Sequence, residues 1–422
     1  MSSELLARPD WLPDLANAEP ESIAAGWKAR LLSGSRGKFL ANVANALVAL
    51  RHAPEWRGVL SFNESTLSVI AKAPPPFELP SPVPFAWADD HDVRTAAWLQ
   101  YNGIGVSKEI AGQAVQAVAR ERSFHPIRDY LDSTTWDQIS RIDDWLTVYL
   151  GADSSEYIRA VGAKWLIGGV ARICKPGCKV DTCLILEGEQ GLLKSTALRT
   201  LAHDEFFTDD IADLGSKDSV LQTRGKWIIE LGELDAMCRV ETSRVKAFIS
   251  RQVDHIRPPY GRHAIDLPRE CIFAGSTNKT NYLKDETGAR RFWPVVCGRI
   301  DIDALKRDRD HLWAEAVARF CAGEKWWLDS KTLLESAAEE AQARYEGDPW
   351  DEKIAEWIKE RQSVRLHDIL EQCLGKTAET WRQADQNRVA RSLRAKGWKR
   401  YQERTGSGPK EREWRYKKSP VL

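Results

Sequence analysis

Short apolar runs alternate with helical patterns through the middle of the chain. The runs are rich in Ile, Leu, Val, Phe and Trp, and they lie at residues 183–188, 227–231, 270–278 and 291–297. Apolar runs of this length predict strands that are buried on both faces, and the helical patterns between them predict a parallel sheet covered on both sides. In such a sheet, ligands bind outside the carboxyl ends of the strands.

The first 150 residues are predicted to form two regions. Residues 1–85 combine helical patterns at 22–32 and 37–52 with a proline-rich stretch at 73–84. Proline cannot continue a helix or occupy a central strand, so this stretch predicts an extended connector. Residues 86–150 predict a helical domain, with helices over 92–101, 107–123 and 136–150.

A break at Gly347-Asp348-Pro349 separates the domain that contains the apolar runs, 151–345, from a smaller one, 346–422. In the smaller domain three helical patterns precede two aromatic-bearing strands around a Gly-Ser-Gly-Pro turn. This order predicts a winged helix-turn-helix. Its core is expected to contain Trp398, Tyr401, Trp414 and Tyr416.

Charge is distributed unevenly along the chain. The 61 Lys and Arg residues balance the 61 Asp and Glu residues, which argues against a surface uniformly adapted to nucleic acid. Residues 382–418, however, carry 13 basic residues against 4 acidic ones. A local excess of this kind predicts that the C-terminal module contacts a phosphate backbone.

The chain start, the length of the apolar runs and the cysteines indicate the compartment in which the protein is expected. The chain shows no secretory pattern at its start and no apolar run long enough to span a bilayer, so we expect a cytoplasmic protein with no membrane contact. The 8 cysteines are expected to be reduced. The closest group of them, Cys174, Cys178 and Cys183, lacks the paired spacing of a zinc site.

The strand ending near residue 188 leads into a candidate phosphate-binding loop. A glycine-bearing turn before a helix leaves backbone N–H groups unpaired around a concavity, which suits a polyphosphate. Lys194 is expected to reach the outer phosphates and Ser195 to hold Mg²⁺. Leu193 occupies the place of the second glycine of this type of loop, so a loop without a ligand is the alternative. The loop residues are Gly188, Glu189, Gln190, Gly191, Leu192, Leu193, Lys194, Ser195 and Thr196.

Hydrolysis also needs a carboxylate near the metal and groups that orient water. Glu233 follows the 227–231 strand and is expected to face Mg²⁺ and the attacking water. Glu230, inside the strand, is either a second metal-side acid or the buried partner of a basic residue. Asn278, at the end of the next strand, can bond the γ-phosphate or the water, and Arg291 or Arg290 can stabilise charge in the transition state.

Two segments are candidates for DNA contact. Residues 254–263 form a turn with basic and aromatic side chains, Arg257, Tyr260, Arg262 and His263, which suit stacking on bases. An ordinary surface hairpin is the alternative. Arg388, Arg391 and Arg394 recur every three residues, so they share one helix face that can meet phosphates.

Several motifs in order resemble one family. They are Gly188-x-Gln190-Gly191-x-x-Lys-Ser-Thr, Trp227-Ile-Ile-Glu-Leu-x-Glu-Leu-Asp, Val245-Lys246-Ala-Phe, Arg257-Pro-Pro-Tyr260-Gly-Arg262, Thr277-Asn278 and Thr287-Gly-x-Arg-Arg291-Phe-Trp-Pro. Over about residues 90–320 this set resembles the virulence-associated protein E family, which is similar to the superfamily 3 helicase branch of AAA+ ATPases in phage, plasmid and integrated-element replication.

The resemblance implies a role for each matched residue. Lys194 with Ser195 and Thr196 resembles Walker A, Glu233 the Walker B acid, Asn278 the sensor and Arg291 the arginine finger. Lys246 and the 257–263 segment resemble the element that places a basic hairpin on single-stranded DNA in the pore of a homo-oligomeric ring. Leu193 departs from the pattern, and so does Gly232, which stands where many relatives have the first of two acids.

The sequence thus predicts an α/β P-loop NTPase core, AAA+-like, with a helical N-terminal region and a C-terminal winged-helix module. Its expected activity is ATP- and Mg²⁺-dependent unwinding or translocation of single- and double-stranded DNA in replication of a mobile element. No primase centre is apparent, so priming would need a separate primase or other replication partner, or an N-terminal part that has been lost. The first alternative is a DNA-binding regulatory protein that has lost hydrolysis. The second is a kinase or nuclease, against which the basic module and the absence of a carboxylate cluster both argue.

Overall fold

The structure of the chain is a computed structural model. It describes residues 26–78, 82–211, 217–232, 242–256, 264–280, 282–283, 290–344, 350–377, 379–404 and 412–418. These residues contain sheets of four, five, three and two strands. None of the helices in these ranges is long and apolar enough to cross a bilayer.

A four-stranded sheet and three helices form the N-terminal unit. The strands are β1 (Leu60–Asn63), β2 (Ser68–Ala71), β3 (Phe85–Ala86) and β4 (Ser123–Phe124), and the helices are α1 (Val43–His52), α2 (Asp89–Tyr101) and α3 (Lys108–Arg120). The strand order is β3-β2-β1-β4, in which β1 pairs antiparallel with β2 and parallel with β4. One hydrophobic cluster, reaching from Trp27 to Ala119, joins the sheet to the helices.

This packing differs from the sequence prediction of helices and an extended connector. The strands were missed because they are only two to four residues long, too short for an alternating pattern to stand out. The cluster also crosses the predicted boundary at 85/86, because α3 packs against β1 and β2. The two N-terminal segments that the sequence analysis separates therefore share one core.

The next two helices, α4 (Pro126–Ser133) and α5 (Trp145–Leu150), pack with the central unit, although the sequence analysis places them in the domain before it. The helix expected over 136–150 occupies only its last six residues. Part of the stretch before it is held by the buried carboxylate of Glu315, which accepts hydrogen bonds from the backbone N–H groups of Arg141 and Ile142.

Five parallel strands form the central sheet: β5 (Cys183–Glu187), β6 (Phe207–Thr208), β7 (Ile228–Leu231), β10 (Ile272–Thr277) and β11 (Phe292–Val296). Their order across the sheet is β11-β5-β10-β7-β6. The helices that accompany it are α6 (Glu156–Cys174), α7 (Lys194–Ala202), α8 (Lys217–Gln222), α9 (Thr242–Ser250), α10 (Ile302–Cys321) and α11 (Lys331–Ala343). All four long apolar runs of the sequence are therefore strands of this sheet, and the parallel arrangement is confirmed.

Alternate residues of the central strands meet different helical layers, as a period of two requires. Leu184 and Leu186 pack in the cluster formed with α6, α7 and α10. Cys183 and Ile185 pack in the cluster formed with α9 and the end of α11. Both faces are covered, which explains why the strands are nearly continuous in apolar residues.

Two stacked tryptophans fix the position of α7. The rings of Trp227 and Trp313 lie 4.0 Å apart between centroids, and both are fully buried. The Trp313 indole N–H donates to the carbonyl of Leu201 at 3.0 Å, and that of Trp227 donates to the carbonyl of Gly169 at 3.0 Å. The helix that follows the candidate loop is therefore tied to α10 at its carboxyl end.

An antiparallel hairpin projects from the central unit. It pairs β8 (Val253–Ile256) with β9 (Ile265–Pro268), and the residues that connect the two strands, 257–263, lie outside the described part of the chain. The hairpin root is the group formed by Arg251, Asp254 and Arg269. Burial acts to raise the pKa of the Asp254 carboxyl, but the guanidiniums of Arg269 and Arg251 hold it below its ordinary value.

Arg172, on α6, anchors this root. The side chain is fully buried, and its guanidinium donates to the carbonyls of Val180 at 2.9 Å and of Arg251 and Arg269 at 3.4 Å each. The Arg172 guanidinium thus satisfies backbone carbonyls just before β8 and just after β9, where the hairpin begins and ends.

The C-terminal unit combines a three-stranded antiparallel sheet with three helical segments. Its elements are α12 (Asp351–Ile358), β12 (Ser363–Val364), α13 (Leu366–Asp368, continued by a π-helical turn at Ile369–Cys373), α14 (Gln383–Ala395), β13 (Trp398–Arg404) and β14 (Arg412–Lys418). The strand order is β12-β14-β13. Trp398 and Tyr416 lie in its core as predicted. Trp414 is instead 49% exposed, with the Arg400 guanidinium 4.0 Å from its ring centroid.

Candidate functional site

The loop between β5 and α7 turns through residues with positive φ. Gly188 has φ +145°, Gly191 +90° and Leu193 +63°. The φ of Gly188 is one that L side chains rarely adopt, and a Cβ atom there would also lie 2.7 Å from the Leu192 side chain, so this position favours glycine. The curved loop therefore ends directly at the N-terminus of α7, where Lys194 is the first helical residue.

Leu193 adopts the left-handed conformation that glycine would adopt more easily. Its φ and ψ are +63° and +25°, and its side chain is 51% exposed. The side chain thus points toward solvent and does not fill the space within the loop. The departure from the sequence pattern is accommodated as backbone strain, of about 1–2 kcal/mol for a residue that is not glycine.

Replacing Leu193 by glycine is expected to stabilise the chain. Relief of the left-handed strain should raise the free energy of unfolding by about 1 kcal/mol, because the exposed side chain contributes little burial. The thermal unfolding midpoint should rise by about 2 °C. The matched control is Leu192→Gly, at a neighbour without positive φ that contacts Gly188, which should lower the midpoint. A lower midpoint for Leu193→Gly would contradict this account.

The Lys194 side chain folds back into the loop. It is 9% exposed, and its ammonium donates to the carbonyls of Gly188 and Glu189 at 2.8 Å each. A lysine held in this way presents its positive charge within the concavity and not to bulk solvent. The arrangement can attract the outer phosphates of a nucleotide.

Ser195 meets a carboxylate from the sheet. Its hydroxyl donates to Oε1 of Glu230 on β7 at 2.8 Å, and the hydroxyl of Ser276 on β10 donates to the same oxygen at 2.5 Å. Glu230 is 2% exposed, and its other oxygen, Oε2, has no hydrogen-bond partner in the part of the chain that the structure describes. A buried carboxylate oxygen without a partner is costly and points to a missing cation or ligand.

Sequence reasoning left Glu230 between two roles and missed Ser276. Within the described part of the chain, Glu230 accepts from two serine hydroxyls and pairs with no basic side chain. One signal was available, because an acid inside an apolar buried strand must be compensated. Ser276 could not be found in this way, since its pairing with Glu230 depends on β10 lying beside β7.

Asn278 stands at the same edge of the sheet. Thr277, the last residue of β10, pairs with Glu187, the last residue of β5, and its carbonyl accepts from the Gly188 N–H at 3.2 Å. Asn278 follows directly and is exposed. The structure therefore places Asn278 beside the beginning of the loop, whereas Glu233 lies outside the described residues and its role stays a prediction.

Arg291 lies at the opposite edge of the sheet. It precedes β11, whose first residue pairs with Cys183, so it stands at the amino end of strands about 16 Å long. Its Nε donates to the Ser250 hydroxyl at 2.8 Å, and Asp181 lies 3.9 Å away. Within one chain Arg291 does not approach Lys194, and its service as an arginine finger to a neighbouring subunit stays a prediction. Arg290, next to it, is exposed.

The predicted DNA-contacting residues fall into three groups. Arg257, Tyr260, Arg262 and His263 lie outside the described residues, between the two hairpin strands. Lys246, on α9, is only 9% exposed, which leaves little surface for a DNA contact. On α14, Arg394 is exposed, the Arg388 guanidinium lies 3.6 Å from the centroid of the Trp350 ring, and the Arg391 side chain is outside the described set.

The oxygens beside Lys194 fit a divalent cation. Mg²⁺ prefers oxygen ligands and is commonly held by one or two carboxylates together with substrate phosphates. The free oxygen of Glu230 and the hydroxyl of Ser195 are of this type. They are close together, because the Ser195 hydroxyl donates to the other oxygen of the same carboxylate. Across the described residues no group of three or more His, Cys, Asp or Glu side chains could hold a metal by itself. A cation here would therefore take the rest of its ligands from phosphate oxygens and water.

Comparison with known proteins identifies a family. The model of the virulence-associated protein E-like domain matches residues 131–346, slightly more than half of the chain. This range contains the central sheet, the loop and the hairpin. No curated protein matches the sequence.

Structures of the NrS-1 C-terminal region are similar to the chain. The A-form apo structure of its residues 305–718 is 12% identical with a TM-score of 0.44, over 85% of this chain and 95% of that one. Another apo structure of 305–718 is 14% identical with a TM-score of 0.44, over 86% and 96%. A further A-form apo structure of the region is 15% identical with a TM-score of 0.40, over 68% and 78%. Scores of this size do not support an argument about function.

Proposed function

This chain belongs to the virulence-associated protein E-like domain family, and from that premise we propose that it is an ATP-dependent DNA helicase or translocase of the superfamily 3 type. Its P-loop, AAA+-like ATPase core would be the central unit, and its task would be replication of a phage, plasmid or integrated element. The observation that carries the proposal is the contact of Ser195 with Glu230, a buried carboxylate with one free oxygen beside the Lys194 loop.

In this proposal, side chains of the central unit share the steps of nucleotide hydrolysis. Lys194 would bind the β- and γ-phosphates of ATP, exchanging the two loop carbonyls for phosphate oxygens. Glu230 and Ser195 would hold Mg²⁺, which when bound neutralises charge that develops on the phosphates. Asn278 would orient the attacking water from the neighbouring strand end, with Glu233 as the acid that faces it.

Other parts of the chain support contact with DNA. The hairpin of β8 and β9 would carry the 257–263 segment to single-stranded DNA, and its root is anchored by the buried Arg172. The C-terminal unit, with helices before a two-stranded hairpin, would act as a winged helix-turn-helix whose Arg394 meets phosphates of duplex DNA. Arg291, at the far edge of the sheet, would complete the site of the next subunit in a homo-oligomeric ring.

The proposal is tested by measuring ATP hydrolysis with and without single-stranded DNA, alongside the mass of the assembly. We expect turnover that requires Mg²⁺, rises when single-stranded DNA is added and accompanies a mass of several subunits. Chelation of Mg²⁺ should stop turnover and leave the fold intact. Turnover at the level of buffer in all conditions would defeat the proposal.

A DNA-binding regulatory protein that does not hydrolyse ATP is the second candidate. Leu193 favours it, because this residue replaces the glycine of an active loop and holds a strained conformation. The exposed Leu193 side chain speaks against blockage of the loop, which is why we prefer the motor. DNA binding without measurable turnover would select the regulator.

A further inference from the structure

A second buried carboxylate stands at the entrance to the loop. Glu187 is the last residue of β5, directly before Gly188, and is 6% exposed. Unlike Glu230, Glu187 has a hydrogen-bond partner at each of its two carboxylate oxygens. The Arg344 guanidinium donates to it in bidentate fashion, with Nε 2.8 Å from Oε1 and Nη2 2.9 Å from Oε2.

A tyrosine completes this arrangement. The hydroxyl of Tyr282 donates to Oε1 of Glu187 at 2.7 Å. Burial raises the pKa of Tyr282, and the Glu187 charge raises it further, so the hydroxyl remains a donor throughout the physiological range. Arg344 in turn binds Tyr282 through the main chain, because the Arg344 carbonyl accepts from the N–H groups of Tyr282 at 3.1 Å and Leu283 at 3.0 Å. We call Glu187, Tyr282 and Arg344 the loop-entrance cluster.

The two carboxylates lie on opposite faces of the sheet. Glu187 pairs with Thr277 of β10, whereas Glu230 contacts Ser276, the preceding residue, and neighbouring residues of a strand point to opposite faces. Glu187 is therefore not a second ligand for the cation beside Ser195. Its negative charge nevertheless lies within one residue of the loop that would receive a triphosphate.

An uncompensated carboxylate at this point would oppose phosphate binding. Like charges repel over several ångströms in a partly buried site, where the effective dielectric constant is far below that of water. The bidentate guanidinium removes most of that repulsion and also fixes the end of β5, from which Gly188 starts the loop. Arg344 lies next to α11 and also contacts Glu340 on that helix, so the cluster ties the loop to α11.

We propose that Arg344 is a positioning residue for nucleotide binding, which neutralises and orients Glu187 so that the loop accepts a triphosphate. This inference rests on the proposed ATPase function. Arg344 also stands at the start of the 345–349 segment, beyond which Trp350 and α12 begin the C-terminal unit. Arg344, which would position the loop, thus directly precedes the segment that leads to the proposed DNA-binding unit.

The test compares equilibrium binding of Mg²⁺–ATP to five forms of the full chain. They are the wild type, Arg344→Ala, Arg344→Lys, Glu187→Gln, and the double variant Arg344→Ala/Glu187→Gln. Arg344→Ala should weaken binding about tenfold or more, because it leaves the negative charge of Glu187 without a cation close to the phosphates. The affinity of the double variant for Mg²⁺–ATP should lie within about threefold of that of Glu187→Gln, because the neutral amide no longer needs a cation. Arg344→Lys should retain more affinity than Arg344→Ala, because it keeps the charge.

Recovery in the double variant separates electrostatic positioning from general damage to the fold. Thermal unfolding of each form checks that it is folded, and the double variant and Arg344→Lys decide the matter if Arg344→Ala does not fold. Equal affinities for the wild type and Arg344→Ala would overturn the inference, and so would a double variant as weak as Arg344→Ala. A wild type that binds no ATP would overturn the proposed function together with the inference.

Discussion

Replacing Lys194 by alanine should reduce ATP turnover about 10²–10³-fold, as expected when one preorganised charged donor is removed from a site that stabilises phosphate charge. Lys194 is nearly buried and its ammonium is held by two loop carbonyls, so its positive charge is fixed within the loop. The reduction should appear in kcat/KM for ATP and in equilibrium nucleotide binding. Steady-state phosphate release over a range of ATP concentrations measures the first quantity directly.

The matched control for this variant is Lys331→Ala. The Lys331 side chain is 90% exposed and pairs with Glu335 at the surface of α11, so its loss should leave turnover within about twofold of the wild type, as small surface effects allow. DNA binding should survive in both variants, because the C-terminal arginines are untouched. If the wild type and Lys194→Ala both bind DNA and both turn over ATP at the same negligible rate, the motor is excluded and the regulatory protein remains.

Replacing Glu230 by glutamine should lower kcat by about 10²-fold or more while nucleotide binding without Mg²⁺ is preserved. The amide oxygen can still accept from Ser195 and Ser276, so the local geometry should persist. Only the negative charge that would hold the cation is lost, and a metal's stabilisation of phosphate charge is worth several kcal/mol, each 1.4 kcal/mol being tenfold in rate. Turnover measured against Mg²⁺ concentration should show an increased requirement for the cation.

Glu230→Gln is expected to lower activity without lowering stability. A buried carboxylate with an unpartnered oxygen is expensive to keep, so the uncharged amide should leave the thermal unfolding midpoint unchanged or raise it. The control is Glu335→Gln, at a side chain that is 62% exposed, which should alter neither turnover nor stability. A large loss of stability in Glu230→Gln would show that this carboxylate serves the fold and not a cation.

The strands of the central sheet could be predicted from sequence because their signal is local. Runs such as Cys183–Glu187 and Phe292–Val296 are apolar at nearly every position, and only strands covered on both faces have that composition. The loop after Glu187 was found for a similar reason, because its glycines, its lysine and its serine are close in sequence. The short strands of the N-terminal unit offered no such pattern.

The contacts that define the candidate site are not local, and this is where prediction stopped. Ser276 meets Glu230 only because β10 lies between β5 and β7, an order that no short pattern specifies. Glu187 and Arg344 are 157 residues apart, and neither belongs to a motif that marks the pair. Strand order and long-range ion pairs follow from the packing of the whole unit, so the sequence supplied the loop but not the acids and cations around it.

The buried Arg172 has a mechanical consequence. Its guanidinium binds the carbonyls just before β8 and just after β9. A shift of β8, β9 or α6 relative to the others would therefore leave a cation or several carbonyls unsatisfied in the interior. A displacement of β8 or β9 would therefore be transmitted to α6. That helix packs on β5, the strand that ends directly before the loop, so buried contacts connect the hairpin root to the loop.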